Sequence, residues 1–273
     1  MSGADDLLVK AREALLDALD ALSAHRDAIV LVGGQAIYLH TGQADVPIAT
    51  TTKDSDLLID PALLGADPLL EEAMTRAGFH RNLQSGQPGE WLDSEGIPVD
   101  LLVPATLVPA EGRRSVQMPP HSRFAARKVL GLEAAVVDHG EHEIASLLPG
   151  GGRSHRVNVA GPAALAVAKL HKLGERARAQ NRLVDKDAHD YYRLLRATET
   201  EQLGAGFVRL LAEERCRDVT RRALEYMSEL FSEAAATGVA MAGRAEAGIG
   251  DPAAVAAAAS ALTVDLLAWL DAR

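Results

Sequence analysis

Two stretches decide the fold: Ile29-Val30-Leu31-Val32-Gly33-Gly34 and, further on, Thr51-Thr52-Lys53-Asp54-Ser55-Asp56-Leu57-Leu58-Ile59. The first is a short apolar run closed by two glycines, the pattern of a buried strand that ends in a tight turn. The second predicts another strand, over Asp54 to Ile59, headed by Asp-x-Asp. Alternation along a strand sends Asp54 and Asp56 to one face and Ser55 and Leu57 to the other. Carboxylates that close repel each other unless one is protonated or a cation lies between them, and a hard divalent ion such as Mg2+ is the usual resolution. This chemistry points to phosphoryl or nucleotidyl transfer. The hydroxyls of Thr51, Thr52 and Ser55 flank the pair, as phosphate ligands or as modification sites; a phosphate added beside Asp54 would repel a nucleotide.

A third carboxylate sits within Pro98-Val99-Asp100-Leu101-Leu102-Val103-Pro104, which reads as a buried strand. An aspartate amid Val and Leu is expensive to bury without a partner. Asp54, Asp56 and Asp100 on neighbouring strands suffice for Mg2+, which keeps water and substrate phosphate among its oxygen ligands. Two such ions can activate an attacking hydroxyl and stabilise a leaving pyrophosphate. The Gly33-Gly34 turn lets backbone N–H groups approach a triphosphate at the start of a helix over Gln35 to His40, whose positive end favours anions.

Outward from these stretches, Leu8, Ala11, Leu15, Leu19 and Leu22 predict an amphipathic helix over Ala4 to about His25. Gln43 to Thr52 reads as a polar loop and Pro61 to Gly78 as a helix. After Gly78, short segments broken by Gly and Pro read as strands of a mixed sheet. Periodicity does not decide between strand and helical turn for Phe124 to Leu130, Glu133 to Val137 and Arg156 to Val159. From Gly161-Pro162 onward the chain turns helical, over Pro162 to Arg178, Lys186 to Ala197, Leu203 to Ala235 and Pro252 to Ala272, with Gly243 to Gly250 as a linker. The expected class is α/β (α+β): a mixed-sheet core over residues 1–160 and a helical domain over residues 161–273.

With 48% apolar and 24% charged residues, the 273-residue composition is that of a soluble globular protein. No apolar run approaches the roughly 18 residues needed to span a bilayer, and the N-terminus is acidic where a signal peptide is basic. A cytoplasmic protein without a membrane partner is expected. The single cysteine, Cys216, excludes an intrachain disulfide and a multi-thiolate zinc site. The net charge of −10 divides unevenly: Gly151 to Arg222 carries 15 Lys+Arg against 9 Asp+Glu, the remainder 13 against 29. Such a concentration of positive charge suits a nucleotide or a nucleic-acid backbone, or is simply a set of solvated helix faces.

An apolar strand, Gly-Gly, a helix, Asp-x-Asp and a third strand Asp occur here in the order found in the nucleotidyltransferases of the DNA polymerase beta superfamily, which this chain resembles over most of residues 27–196. Within that superfamily it is similar to the abortive-infection AbiEii type, which includes the MenT toxins. A second block carries the narrower likeness: Ala168-Lys169-Leu170-His171-Lys172-Leu173 with Arg176, then Lys186-Asp187-Ala188-His189-Asp190, similar to that family's Lys-Leu helix and basic-Asp-x-x-Asp signature. The resemblance implies a nucleotidyltransferase core that uses a nucleoside triphosphate with Mg2+ (or Mn2+). It further implies transfer to the 3′ end of tRNA with arrest of translation, and a cognate antitoxin. Asp54, Asp56 and Asp100 would hold metal; Gly33, Gly34, Thr52, Lys53 and Arg176 would line the nucleotide. Lys169, Lys172 and Arg176 are spaced three and four apart on one helical face, where Lys169, with Lys172 as second choice, would neutralise the triphosphate. Asp187 and Asp190 would orient a basic side chain or the acceptor, the alternative being an inter-helix salt bridge.

Other motifs carry less. His139-Gly140-Glu141-His142-Glu143 reads as a polar hairpin tip rather than a zinc site, and Pro149-Gly150-Gly151-Gly152-Arg153 as a connection without the ending of a P-loop. Arg113-Arg114 and His121-Ser122-Arg123 are candidate contacts to acceptor phosphates. The alternative functions are nucleotidyl transfer to a small molecule or a protein hydroxyl, and a non-catalytic nucleotide-binding module, which the intact triad disfavours.

Overall fold

A computed structural model describes residues 3–42, 54–110, 112, 114–177 and 184–273. Thr51, Thr52, Lys53, Arg113 and Arg178, each singled out by the sequence, lie outside the described residues. Helix α1 (Gly3–Ala21) precedes strand β1 (Ile29–Val32), which runs directly into helix α2 (Gly33–Thr41). Then come β2 (Ser55–Ile59), α3 (Leu70–Arg76), β3 (His80–Arg81), β4 (Glu90–Leu92), β5 (Pro98–Pro104), β6 (Arg127–Val129), β7 (His139–Ala145) and β8 (Ser154–Ala160). The helices α4 (Pro162–Ala177), α5 (Asp185–Ala197), α6 (Thr200–Ala212), α7 (Arg217–Phe231), α8 (Thr237–Ala245) and α9 (Pro252–Asp271) follow.

The architecture is the mixed-sheet core and helical C-terminal region that the sequence predicts. It falls into two compact units. One holds the described residues of Met1–Ala36, Thr50–Leu132 and His139–Ala160; the other holds those of Ile37–Ala49, Glu133–Asp138 and Gly161–Arg273.

The first unit is built on a sheet of order β3-β4-β5-β2-β1-β8-β7, with β6 also pairing β5. It is mixed: β2 lies antiparallel to β1 and parallel to β5, while β1 lies parallel to β8. The apolar strands supply the core, with all four residues of β1 and Leu57, Leu58 and Ile59 of β2 buried. A continuous apolar run without alternation is the mark of a strand covered on both faces. Helix α1 contributes Leu15, Leu16 and Leu19, buried side chains on its apolar stripe. Arg12 and Gln35 tie it to the sheet: Arg12 Nε donates to Gln35 Oε1 at 2.9 Å, and Gln35 Nε2 donates to Ser55 Oγ at 2.6 Å and to Ala11 O at 3.1 Å.

Several elements differ from the sequence reading. The helix expected over Pro61 to Gly78 is confined to α3, because Pro61 and Pro68 break the run and Leu69 is extended. The residues His139 to Glu143 are not a hairpin tip but the first part of β7, paired along its length with β8. A single helix over Leu203 to Ala235 is instead α6 and α7, because Glu213 turns extended and Arg217 donates from Nε and Nη2 to the free carbonyls of Leu211 and Ala212 at 3.0 and 2.9 Å. Those carbonyls are the ones a helix end leaves unpaired. The expected linker begins inside α8, whose buried Val239, Met241 and Ala242 give it an apolar face. Helix α9 starts as predicted, with Asp251 accepting from the N–H groups of Ala253 and Ala254. Contrary to the expectation from apolar runs, α9 is long and apolar enough by length and composition to cross a membrane. Its many alanines hold the average hydropathy high across the polar interruptions.

Candidate active site

The site in the first unit begins with strand register. Asp56 of β2 stands opposite Val32 of β1 on one side and Asp100 of β5 on the other, and Asp100 stands opposite Glu90 of β4. Residues paired across a sheet share a face, so Asp56, Asp100 and Glu90 form one row. Asp54 immediately precedes β2, two residues before Asp56 and on the same side. Carboxylate oxygens of Asp54, Asp56 and Asp100 all lie within 4.8 Å of one another. Ser55 points the other way, as alternation requires: it is fully buried, and its hydroxyl donates to Ala11 O at 3.0 Å. It is therefore a structural hydroxyl, which removes it as a phosphate ligand or modification site.

Gly33 lies against Asp56. Its φ is +71°, and a Cβ there would collide with the Asp56 carboxylate. Both facts restrict the position to glycine, the first through backbone sterics and the second through space. Gly34 lies in the first turn of α2.

Two charged residues that the motif reading missed complete the environment. Arg127, at the start of β6, donates through Nη2 to Asp100 Oδ2, and the other oxygen, Oδ1, is buried without a hydrogen-bond partner. Burial raises the Asp100 carboxyl above the usual range, Arg127 opposes that rise, and Asp54 and Glu90 add to it. Glu90 accepts from Asn82 Nδ2 at 2.8 Å. Arg127 and Glu90 become neighbours of Asp100 only because β6 and β4 share one edge of β5. Gly89 makes that junction: at φ +75° it carries no Cβ to meet Leu101 O. The signal available in the sequence was slight, a lone arginine in Phe124-Ala125-Ala126-Arg127 and a glutamate after a glycine.

The donor set fits a hard divalent cation. Three carboxylates converge, all ligand atoms are oxygens, and a buried oxygen of Asp100 has no partner. Such a cluster is repulsive until positive charge is added, and oxygen-only ligands favour a hard divalent cation over softer metals.

The second unit carries the other block. Lys169 of α4 is buried, and its Nζ donates to Asp187 Oδ1 at 2.9 Å and to Asp190 Oδ2 at 2.7 Å, both on α5. Lys172 Nζ also reaches Asp187 Oδ1 at 2.9 Å, and Arg176 Nη1 reaches Asp187 Oδ2 at 2.8 Å. Burial works to lower the Lys169 ammonium, but Asp190 and Asp187 outweigh it and hold the group above its usual value. Burial likewise works to raise Asp187, and Lys169 with Lys172 takes it down to about 2. The cationic face read from the spacing of Lys169, Lys172 and Arg176 is thus turned onto two aspartates. Lys172 keeps 45% of its side chain exposed, against 10% for Lys169.

The weaker candidates resolve into structure. His121 is buried between Gly65 O and the N–H of Leu70, Arg123 stacks on Phe124, and Arg114 donates to Gln87. Arg153, at the end of the glycine run, pairs with Glu13 and Asp17 on α1.

A family model described as nucleotidyltransferase matches residues 10–213. Neither the curated proteins nor the solved structures contain a match to this chain.

Proposed function

Because the chain belongs to the nucleotidyltransferase family, we propose that it transfers a nucleoside monophosphate from a nucleoside triphosphate to the 3′ end of tRNA, as the toxin of a toxin–antitoxin pair. Nucleotidyl transfer at a metal-dependent site is carried by one observation, the convergence of Asp54, Asp56 and Asp100 oxygens within 4.8 Å. A bound Mg2+ or Mn2+ would neutralise charge at the α-phosphate and acidify the acceptor hydroxyl. Asp54, Asp56 and Asp100 would hold it, and Gly33, having no Cβ to collide with Asp56, lets that carboxylate take its place. The acceptor oxygen forms a bond to the α-phosphorus, its proton passes to Asp100 Oδ1, and the bond to the β-phosphate breaks with its electron pair leaving on pyrophosphate. Arg127 keeps the other oxygen of Asp100 engaged, which fixes the rotamer that presents Oδ1. We assign Lys172, the exposed ammonium, to the triphosphate, with Arg176 beside it; Lys169 holds Asp187 and Asp190 in place.

The tRNA acceptor and the toxin role rest on the likeness of the Lys169 to Asp190 block to the AbiEii type and on the basic balance of Gly151 to Arg222. The test is to incubate the protein with Mg2+, total tRNA and each labelled nucleoside triphosphate in turn. Label in tRNA from one nucleotide is the expected result; no label in tRNA from any of them overturns this acceptor. One observation favours a second reading, transfer to a small molecule or a protein hydroxyl: several cations of the basic section are engaged in ion pairs, including Arg153, Lys169 and Arg209. RNA affinity that falls steeply with salt supports tRNA, and weak salt-insensitive binding supports the second reading.

A further inference from the structure

Arg193 on α5 stands apart from the other cations of the helical unit. It is only 4% exposed, yet its Nε and Nη2 are both buried without a hydrogen-bond partner. Asp190, one turn earlier, is within electrostatic range, but it is committed through Oδ2 to Lys169. Burial lowers the Arg193 guanidinium, with Asp190 and Tyr38 opposing. A lysine in such a place sheds its proton; an arginine stays charged, so the cost of desolvation persists until an anion arrives.

The geometry of the orphaned atoms selects the anion. Nε–H and Nη2–H lie side by side on one edge of the guanidinium plane, the edge that grips two oxygens of one phosphate or carboxylate. We propose that Arg193 holds a phosphate group, with the Tyr38 phenol as a neighbouring donor. Arg193 lies three residues beyond Asp190, outside the Lys-Leu and basic-Asp-x-x-Asp blocks, so no motif assigns it. The phosphate belongs either to the nucleotide or to the backbone of a polynucleotide acceptor; the chemistry of recognition is the same. The inference rests on the nucleotidyl-transfer reading only for the choice of phosphate as the anion.

Binding is measured by calorimetry and thermal melting on the full chain without metal, with sodium tripolyphosphate, with a short single-stranded RNA, and with sodium malonate at matched ionic strength. The wild type is expected to bind one or both phosphate probes and to melt at higher temperature with them, and to respond less to malonate. Arg193→Met should melt at an equal or higher temperature than the wild type without ligand, because an unpaired buried charge is gone, and should lose the response. Arg193→Lys keeps the charge without the fork and should bind roughly tenfold or more weakly. A response to tripolyphosphate assigns the site to the nucleotide; a response to RNA alone assigns it to the acceptor. No response in the wild type to either phosphate probe, a stronger response to malonate, or an unchanged response in both variants overturns the proposal. No turnover is involved, so failure of the tRNA-labelling assay leaves this result standing, and failure here leaves that assay intact.

Discussion

At Gly33 a single missing methyl group decides whether the site exists. The position combines a positive φ with contact against Asp56, so Gly33→Ala is expected to lose Mn2+ affinity at the triad, read by calorimetry, together with thermal stability. Arg127 acts in the opposite sense, by presence rather than absence. Arg127→Met strips Asp100 of its partner and leaves a buried carboxylate uncompensated, at a cost of about 3–5 kcal/mol in urea unfolding; added Mn2+ should recover more stability in this variant than in the wild type, because it supplies the missing positive charge. Equal gains in both proteins would contradict that role. Gly33, Asp54, Asp56 and Asp100 were legible because strand alternation and glycine chemistry are local. Arg127 and Glu90 were not, since their place beside Asp100 depends on which strands share an edge of β5, which no local pattern encodes.

Between α4 and α5 the same logic yields a pH dependence. Asp187 is taken from its usual 3.8 down to about 2 in the fold, so its contribution is complete above pH 3.8 and disappears as pH falls toward 2. Lys169 is raised above its usual 10.5, so its contribution is complete below that pH and is lost only on further alkalinisation. Urea unfolding is therefore expected to hold steady across neutral pH and to weaken in the acid window, and Asp187→Asn should flatten that acid limb; an unchanged limb would remove Asp187 as its source. Lys169→Met should destabilise by about 3–5 kcal/mol, because Asp190 is left buried without its ammonium partner while Asp187 keeps Lys172 and Arg176. Lys172→Ala should leave stability nearly intact and raise KM for the nucleotide. Spacing placed these cations on one face of α4, and correctly so, but it is blind to what that face meets. A related limit explains why α6 and α7 read as one helix: their break is held by Arg217 reaching back to the carbonyls of Leu211 and Ala212, a side-chain contact that helical periodicity does not register.

Over the whole molecule, charge is less available than composition implies. Among the described residues, part of the excess of Lys and Arg between Gly151 and Arg222 is paired with acids from outside that stretch, as Arg153 is with Glu13 and Arg209 with Asp138. The family match over residues 10–213 and the carboxylate triad carry the functional conclusion; the order of Gly-Gly, Asp-x-Asp and Asp100 anticipated the carboxylate cluster, and the Gly- and Pro-broken segments after Gly78 anticipated the mixed sheet. The most direct measurement follows the label of a nucleoside triphosphate marked at the α- or at the γ-phosphate, with Mg2+ and cell extract as acceptor source, for the wild type and for Asp54→Asn with Asp56→Asn. The account predicts that α-label enters an acceptor, γ-label leaves as pyrophosphate, and both changes vanish in the double variant or on chelation of the metal. Transfer of γ-label to the acceptor, or transfer of α-label that survives loss of both aspartates, would contradict it.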